Sequence, residues 1–287
     1  MVKPAKSSRR VSELRCEAIK KYLSFENLPL QNVVSSVLKA FVDCFVECLD
    51  GGCGVDVSDY ISFFNRFVTR ALAESYKCDR VKHLLNSARE YVARVYTAAE
   101  KVFGSAFIIE GELKSRLLIH TKSPVMPLDM GISWDFILNI PFVPASSVKG
   151  LARSYFEANK IVVGGLDADE LFGSEEGGVG YIVFFDAYPV SCQEKLIEPD
   201  VITPHYPGDR IDELSATPTP IVFPAIAPKT VMHFPVAVNV KLIGKKIGGQ
   251  GLGKEITAII SNIAKALESG VGAKTSVGYG RIKIVKY

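Results

Sequence analysis

The sequence predicts an α+β protein: a ferredoxin-like β-α-β-β-α-β domain, preceded by a helical extension and carrying a long insertion between its second and third strands. Two observations predict this. Apolar residues recur at three- and four-residue steps before Gly104 and alternate after it. Beyond that glycine, the elements follow in the order strand, helix, strand, strand, helix, strand.

The helical part comes first, with residues 1–103 expected to pack on the core formed by 104–287. Val33, Val34, Val37, Leu38, Phe41, Val42, Phe45 and Leu49 sit at helical spacing, as do Leu84, Leu85, Ala88, Tyr91, Val92, Val95 and Ala99. Tyr60 to Leu72 forms a third such stretch, set apart by Gly51-Gly52-Cys53-Gly54. In the second part, Phe107, Ile109, Leu113, Leu117 and Ile119 alternate with charged residues and predict a half-buried strand. A helix over about 147–160 follows, then strands over 181–189 and 234–242, a helix over 254–267 and a strand over 280–286. Both helices should lie on one face of an antiparallel sheet. The other face would then be open, as in domains that read single-stranded RNA, although no aromatic signature of that kind is present. The insertion, 190–230, is rich in proline, and a segment of that length inside a compact domain is usually functional or partner-bound.

Composition narrows the function classes. Hydrophobic residues make up 48% and charged residues 23%, which is globular and not disordered. No apolar run reaches the roughly 18 residues needed to span a bilayer. The basic start, 1–10, is not followed by a signal-peptide core. The expectation is a cytoplasmic protein without a membrane partner. Its net charge of +3 conceals segregation: residues 241–287 hold nine Lys/Arg against Glu255 and Glu268. A polyanion on one side and protein neighbours elsewhere would suit that distribution. The cysteines lack zinc-site spacing, and Cys44 and Cys48, four apart at helical period, read as small core hydrophobes. No metal or cofactor is expected.

Two constellations carry the binding chemistry. In 140–153, Ser146 reads as the N-cap of the next helix, with Ser147 beside it and Arg153 two turns on. A capping box would put Glu or Gln at 149, where Lys149 stands instead, at a cost of roughly 0.3–1 kcal/mol against the helix dipole. An anion docked there would reverse that cost, while an exposed lysine would merely tolerate it. The second constellation, 270–281, holds Gly272, Lys274, Thr275, Ser276, Gly278 and Arg281 in a loop entering the last strand. Two cations, two hydroxyls and a glycine-rich backbone favour phosphate binding over an ordinary turn. Gly248 to Glu255 imitates a nucleotide-binding loop after a strand, yet it ends in Glu255 where a hydroxyl must hold magnesium, so ATP binding is rejected. No catalytic constellation stands out. His205 and Tyr206, in a proline-framed loop, read as a recognition surface that stacks on a base or partner. A metal-independent endoribonuclease using His205 and a purely protein-binding scaffold are the competing readings.

These segments resemble the RAMP superfamily. Val143 to Arg153 is similar to its "IPGSSLKGALR" box, with Ala145 where the box has glycine. Leu171 to Ser174 and Gly180 to Pro189 are similar to its "FGS…G…F.DAYP" segment, and Gly270 to Arg281 to its C-terminal glycine-rich loop. Asp200 to Pro207 resembles a segment of the sixth Cmr subunit of type III-B CRISPR complexes. The resemblance covers about 105–287. It implies a non-catalytic subunit that binds guide RNA (crRNA) near its 3′ end and contacts the backbone repeat subunit and a second RAMP subunit. Target RNA would be met only indirectly, and target cleavage would belong to another subunit.

Overall fold

A computed structural model describes residues 16–24, 26, 28–50, 57–119, 126–128, 130–174, 178–203, 220–248 and 251–287. Its mixed helix-and-sheet character matches the expected class. The helical layer consists of α1 (Glu17–Tyr22), α2 (Val33–Asp50), α3 (Val57–Ser75) and α4 (Lys82–Phe103). The last three lie where the apolar periodicity predicts them. The buried face of α2 is turned from the expected one, however: Val33, Val37, Ala40, Cys44 and Cys48 face inward, while Leu38 and Val42 are exposed.

At Gly104, in the left-handed region at φ 89°, α4 ends and β1 (Gly104–Leu113) begins. Antiparallel strands β4 (Ile182–Phe184), β8 (Val231–Asn239) and β9 (Ile282–Lys286) join β1 in the order β4-β8-β1-β9. The single strand expected over 181–189 is broken, and β5 (Tyr188–Ser191) pairs separately with β8. The break lies where Ala187 leaves the sheet to exchange backbone hydrogen bonds with Val143. The third strand also differs from expectation. It stops at Asn239, whose carboxamide accepts from Leu242 N–H and caps α7 (Val240–Ile247). Val240 and Leu242 continue the strand alternation in sequence, which is why the helix is hidden there.

Helices α5 (Ala145–Ala158) and α8 (Leu252–Ser269) cover one sheet face. Ile256, Ile259, Ile260, Ile263 and Leu267 of α8 are buried there with Val148, Ala152 and Phe156 of α5. Each of these side chains except that of Ala152 contributes about 1.5–3 kcal/mol by leaving water. The second face is not open, contrary to expectation. Ala99 of α4 packs on Ala106 and Ala237, flanked by Tyr96, Phe103, Val183 and Phe185. Single-stranded RNA therefore cannot lie across that part of the sheet.

The insertion has structure of its own. β6 (Ile197–Ile202) and β7 (Ile221–Ile226) pair from Ile197↔Ile226 to Ile202↔Ile221. Helix α3 braces this hairpin, with Asn65 Nδ2 donating to Val222 O at 2.7 Å. A short α6 (Ala168–Phe172) and a small hairpin, β2 (Trp134–Asp135) with β3 (Ile140–Pro141), complete the described elements.

Asn139, buried beside that small hairpin, ties it to the helical layer. Its Oδ1 accepts from Val33 N–H (3.0 Å) and Trp134 Nε1–H (3.2 Å). Its Nδ2 donates to Pro29 O (3.2 Å) and Gln31 O (2.7 Å), and its own carbonyl accepts from Tyr76 Oη (2.8 Å). The residue sits at φ 54°, a conformation that asparagine tolerates better than most side chains. Every polar atom of the amide is satisfied, which is what makes a buried amide affordable.

Cys44 and Cys48 depart from the simple core hydrophobes expected. Cys44 is buried as anticipated but bonded to Cys16, and Cys48 is also disulfide-bonded. A further bridge, Cys78–Cys192, joins the α3–α4 connection to β5, beside Leu196 N–H donating to Tyr76 O at 2.8 Å. Asn139→Ala should lower unfolding free energy by about 3 kcal/mol, since buried donors and carbonyls lose their partners, as measured by chemical denaturation. Cys192→Ser, which opens a bridge between residues 114 apart, should cost roughly 4–5 kcal/mol on the chain-entropy account.

Candidate nucleic-acid interface

The chain enters α5 through Pro141 to Pro144, and Pro144 rather than Ser146 stands at the N-cap. Ser146 and Ser147 are thus the second and third helical residues. The first N–H, that of Ala145, donates to Asp186 Oδ1 at 2.7 Å, so a carboxylate already satisfies the start of the helix. Helical spacing then divides the predicted residues. Ser147, Gly150, Leu151 and Ser154 point to one side, while Ser146 and Lys149 line a separate groove of about 310 Å³ with Phe172, Gly180 and Ile182. Arg153 is engaged by the chain itself. It donates to Gly173 O (2.6 Å) and Glu157 Oε1 (2.7 Å) and pairs with Asp169, bracing α5 against α6.

The glycine-rich loop folds around its own hydrogen bonds. Val271 N–H donates to Gly280 O (2.9 Å), Ala273 N–H to Leu118 O (2.8 Å) and Gly280 N–H to Arg116 O (2.8 Å). A Cβ on Gly272 would lie 2.1 Å from Leu118 O, and one on Gly280 1.8 Å from Val271 O. Those two glycines therefore admit neighbouring backbone, not a phosphodiester. Gly278, at φ 98° with open space above it, serves the turn that follows Thr275 to Val277. Lys274, itself at φ 60°, is exposed, as are Gly272, Ser276 and Arg281.

The two constellations, more than a hundred residues apart in sequence, meet across one cleft. Ser147, Gly150, Leu151 and Ser154 of α5 face Gly270, Gly272, Ala273 and Thr275 of the loop, with Ile119 at the base; the cleft holds about 420 Å³. Ser147, Ser154 and Thr275 bring hydroxyls to it, and exposed Lys274 stands in sequence between its lining residues Ala273 and Thr275. The basic C-terminal region is not one surface, though. Helix α8, about 27 Å long at 1.5 Å per residue, separates Lys241, Lys245, Lys246 and Lys254 from Lys274, Arg281, Lys283 and Lys286. The nucleotide-loop imitation also loses its context, because α7 and not a strand precedes Gly251.

Sequence reasoning missed Arg116 and Asp200. Arg116 pairs with Glu198 (3.1 Å) and Asp200 (3.5 Å), and Asp200 Oδ2 accepts from Tyr279 Oη at 2.7 Å. The alternation expected over 107–119 marks Arg116 only as a solvent-side charge, and no local signal reports its partners. His205 and Tyr206 lie outside the described residues. Among the described residues, no group of three or more His, Cys, Asp or Glu side chains could hold a metal ion, and no helix is long and apolar enough to cross a membrane.

Residues 126–283 match the RAMP superfamily. The chain is 31% identical over 234 residues to the CRISPR system CMR subunit Cmr6 of Saccharolobus solfataricus, covering 80% of this chain and 74% of that one. The chain belongs to the Cmr6 family of the RAMP superfamily. The Cmr6 of Pyrococcus furiosus is 34% identical over 130 residues, 39% of this chain and 33% of its own length. Among solved structures, a chain of the type III-B Cmr-beta complex bound to cognate target RNA, determined by cryo-electron microscopy, superposes with a TM-score of 0.69. That match has 26% identity and covers 93% of this chain and 97% of the other. The similarity reaches the helical layer, which the sequence motifs leave unmatched.

Away from the cleft, His233 and Glu110 face each other across β8 and β1, with His233 Nε2 2.9 Å from Glu110 Oε2. The carboxylate accepts from Nε2–H, which leaves Nδ1 buried without a partner. Burial pushes the His233 imidazole below its ordinary 6.5, Glu110 opposes this, and Arg89 and Lys286 reinforce it. For Glu110, burial raises the carboxyl, but His233 and Lys286 outweigh it and hold the group below 4.5. In each case the unfolded chain binds the proton more readily, so stability rises with pH. It should fall as pH drops below 6.5, then again through the Glu110 range, and His233→Gln should remove the first part in a pH series of denaturation curves. One proton limits that slope to about 1.4 kcal/mol per pH unit.

Proposed function

We propose that this chain is a non-catalytic, cytoplasmic subunit of a type III-B CRISPR RNA-guided complex, and that it holds guide RNA near its 3′ end by the phosphate backbone. The observation that carries the reading is the meeting of Ser147 on α5 with Gly272 and Thr275 of the glycine-rich loop across one hydroxyl-lined cleft. Lys274, Ser276, Gly278 and Arg281 would supply charge and donors at its rim, and Ser146 and Lys149 would extend contact around α5. Cations and hydroxyls grip phosphate without reading bases. Arg153 serves as a brace, since its guanidinium is already shared among Glu157, Asp169 and Gly173.

The ferredoxin-like description belongs to the same proposal. Taking β1, β4 with β5, β8 and β9 as its four strands and α5 and α8 as its two helices, the order β4-β8-β1-β9 supports it. In this reading, residues 1–103 pack on the RNA-holding part. The neighbours are the backbone repeat subunit and a second RAMP subunit, and target RNA is met through the guide.

In the reconstituted complex, guide affinity should fall with salt because bound phosphates release counterions. Replacing Lys149, Lys274 and Arg281 together with Ala should weaken binding and reduce the slope of log K against log salt by about 2, at roughly 0.7 per phosphate of a single strand. An unchanged slope would sink the assignment. Purified chain should leave repeat RNA uncut in EDTA; cleavage that disappears in His205→Ala would replace this reading with the endoribonuclease.

A further inference from the structure

We infer that Arg116 and Asp200 form a positioning clamp that locks the glycine-rich loop to the β6–β7 hairpin and so holds the RNA-binding cleft in one geometry. The inference rests on the RNA-binding reading given above.

The clamp is a closed ring of bonds. Arg116 reaches the loop through its backbone, its carbonyl accepting from Gly280 N–H at 2.8 Å. It reaches the hairpin through its side chain, with Nε 3.1 Å from Glu198 Oε2 and Nη1 3.5 Å from Asp200 Oδ2. Asp200 returns the connection to the loop by accepting from Tyr279 Oη at 2.7 Å. Beneath the ring, Tyr279 packs with Phe223 of the hairpin in a small apolar cluster. Burial, helped by Asp200, pushes the Tyr279 phenol up to about 12, so it remains a donor throughout the neutral range.

Two carboxylates beside a phosphate site need a reason to be there, because they repel the ligand. The guanidinium between them offsets one of their two charges, and its planar fork suits a two-carboxylate partner better than an ammonium would. The same engagement argues against Arg116 as a phosphate ligand. Its function is fixed by what it joins: the loop and the hairpin are distant in sequence, and Arg116 bonds to the first through its backbone and to the second through its side chain. A loop already held in its binding geometry has less freedom to lose when RNA arrives.

The test uses the assembled complex, a labelled guide RNA and four variants. Tyr279→Phe keeps the aromatic side chain and removes the hydroxyl that closes the clamp, and guide affinity should fall roughly threefold to tenfold with the salt slope unchanged. Hydrogen exchange at the amides of 272–278 should quicken while the melting temperature of the complex stays close to wild type. Asp200→Asn, which retains an acceptor for Tyr279, should bind better than Arg116→Ala. Two results would overturn the clamp: wild-type affinity and exchange in both Tyr279→Phe and Arg116→Ala while Lys274→Ala binds weakly, or a salt slope reduced by about 0.7 in Arg116→Ala, the mark of a direct phosphate contact. If Lys274→Ala also binds as wild type, the RNA-binding reading fails first and the clamp falls with it.

Discussion

Backbone hydrogen bonding after Leu113 is the constraint on which the functional end of this molecule depends. There the chain leaves the central sheet, and its peptide groups still need partners. They find them on both sides. Leu117 exchanges two hydrogen bonds with Ile226 of the insertion, while Leu118 and Arg116 accept from Ala273 and Gly280 of the glycine-rich loop. One short segment therefore fastens two elements that would otherwise be independent excursions from the sheet. Gly272 is explained by the same contact, since it makes room for Leu118, while Gly280 makes room for Val271 of the loop itself.

A second attachment works at the opposite side of the sheet. Helix α4 closes the face that an RRM-type domain leaves open, and the Asn139 amide, the Cys78–Cys192 bridge and the Arg89 hydrogen bond to Val190 O fasten the helical layer. Covering that face moves the candidate RNA contact away from the sheet surface and onto the margin formed by α5 and the loop. Binding by phosphate grip at such a margin suits a protein that must hold an RNA of varied sequence, because cations and hydroxyls there meet the common backbone.

Periodicity made α2, α3, α4, α5 and α8 legible, together with β1, β4, β8 and β9 of the five-stranded sheet, because each buries one regular stripe. It failed where a hydrogen bond outside the periodic pattern changed the outcome. Asn239 turned an unbroken strand pattern into α7, and Ala187 left the sheet for Val143. The Cys44 reading was right about burial and wrong about bonding, since pairing with Cys16 depends on how α1 lies against α2. At the candidate site, Ser147 and the loop residues were visible as motifs, whereas nothing local reported that Arg116 pairs with Asp200.

The sequence by itself determined the class of fold, the two motif segments and the family, because periodicity and motif chemistry are local properties of the chain. Only the tertiary structure decided that these segments share one cleft, that Arg153 is consumed as a brace and that α4 closes the open face. It also decided that α8 splits the basic region into two. Each of those outcomes depends on distances between residues far apart in sequence, and such distances are set by packing and hydrogen bonding across the whole core.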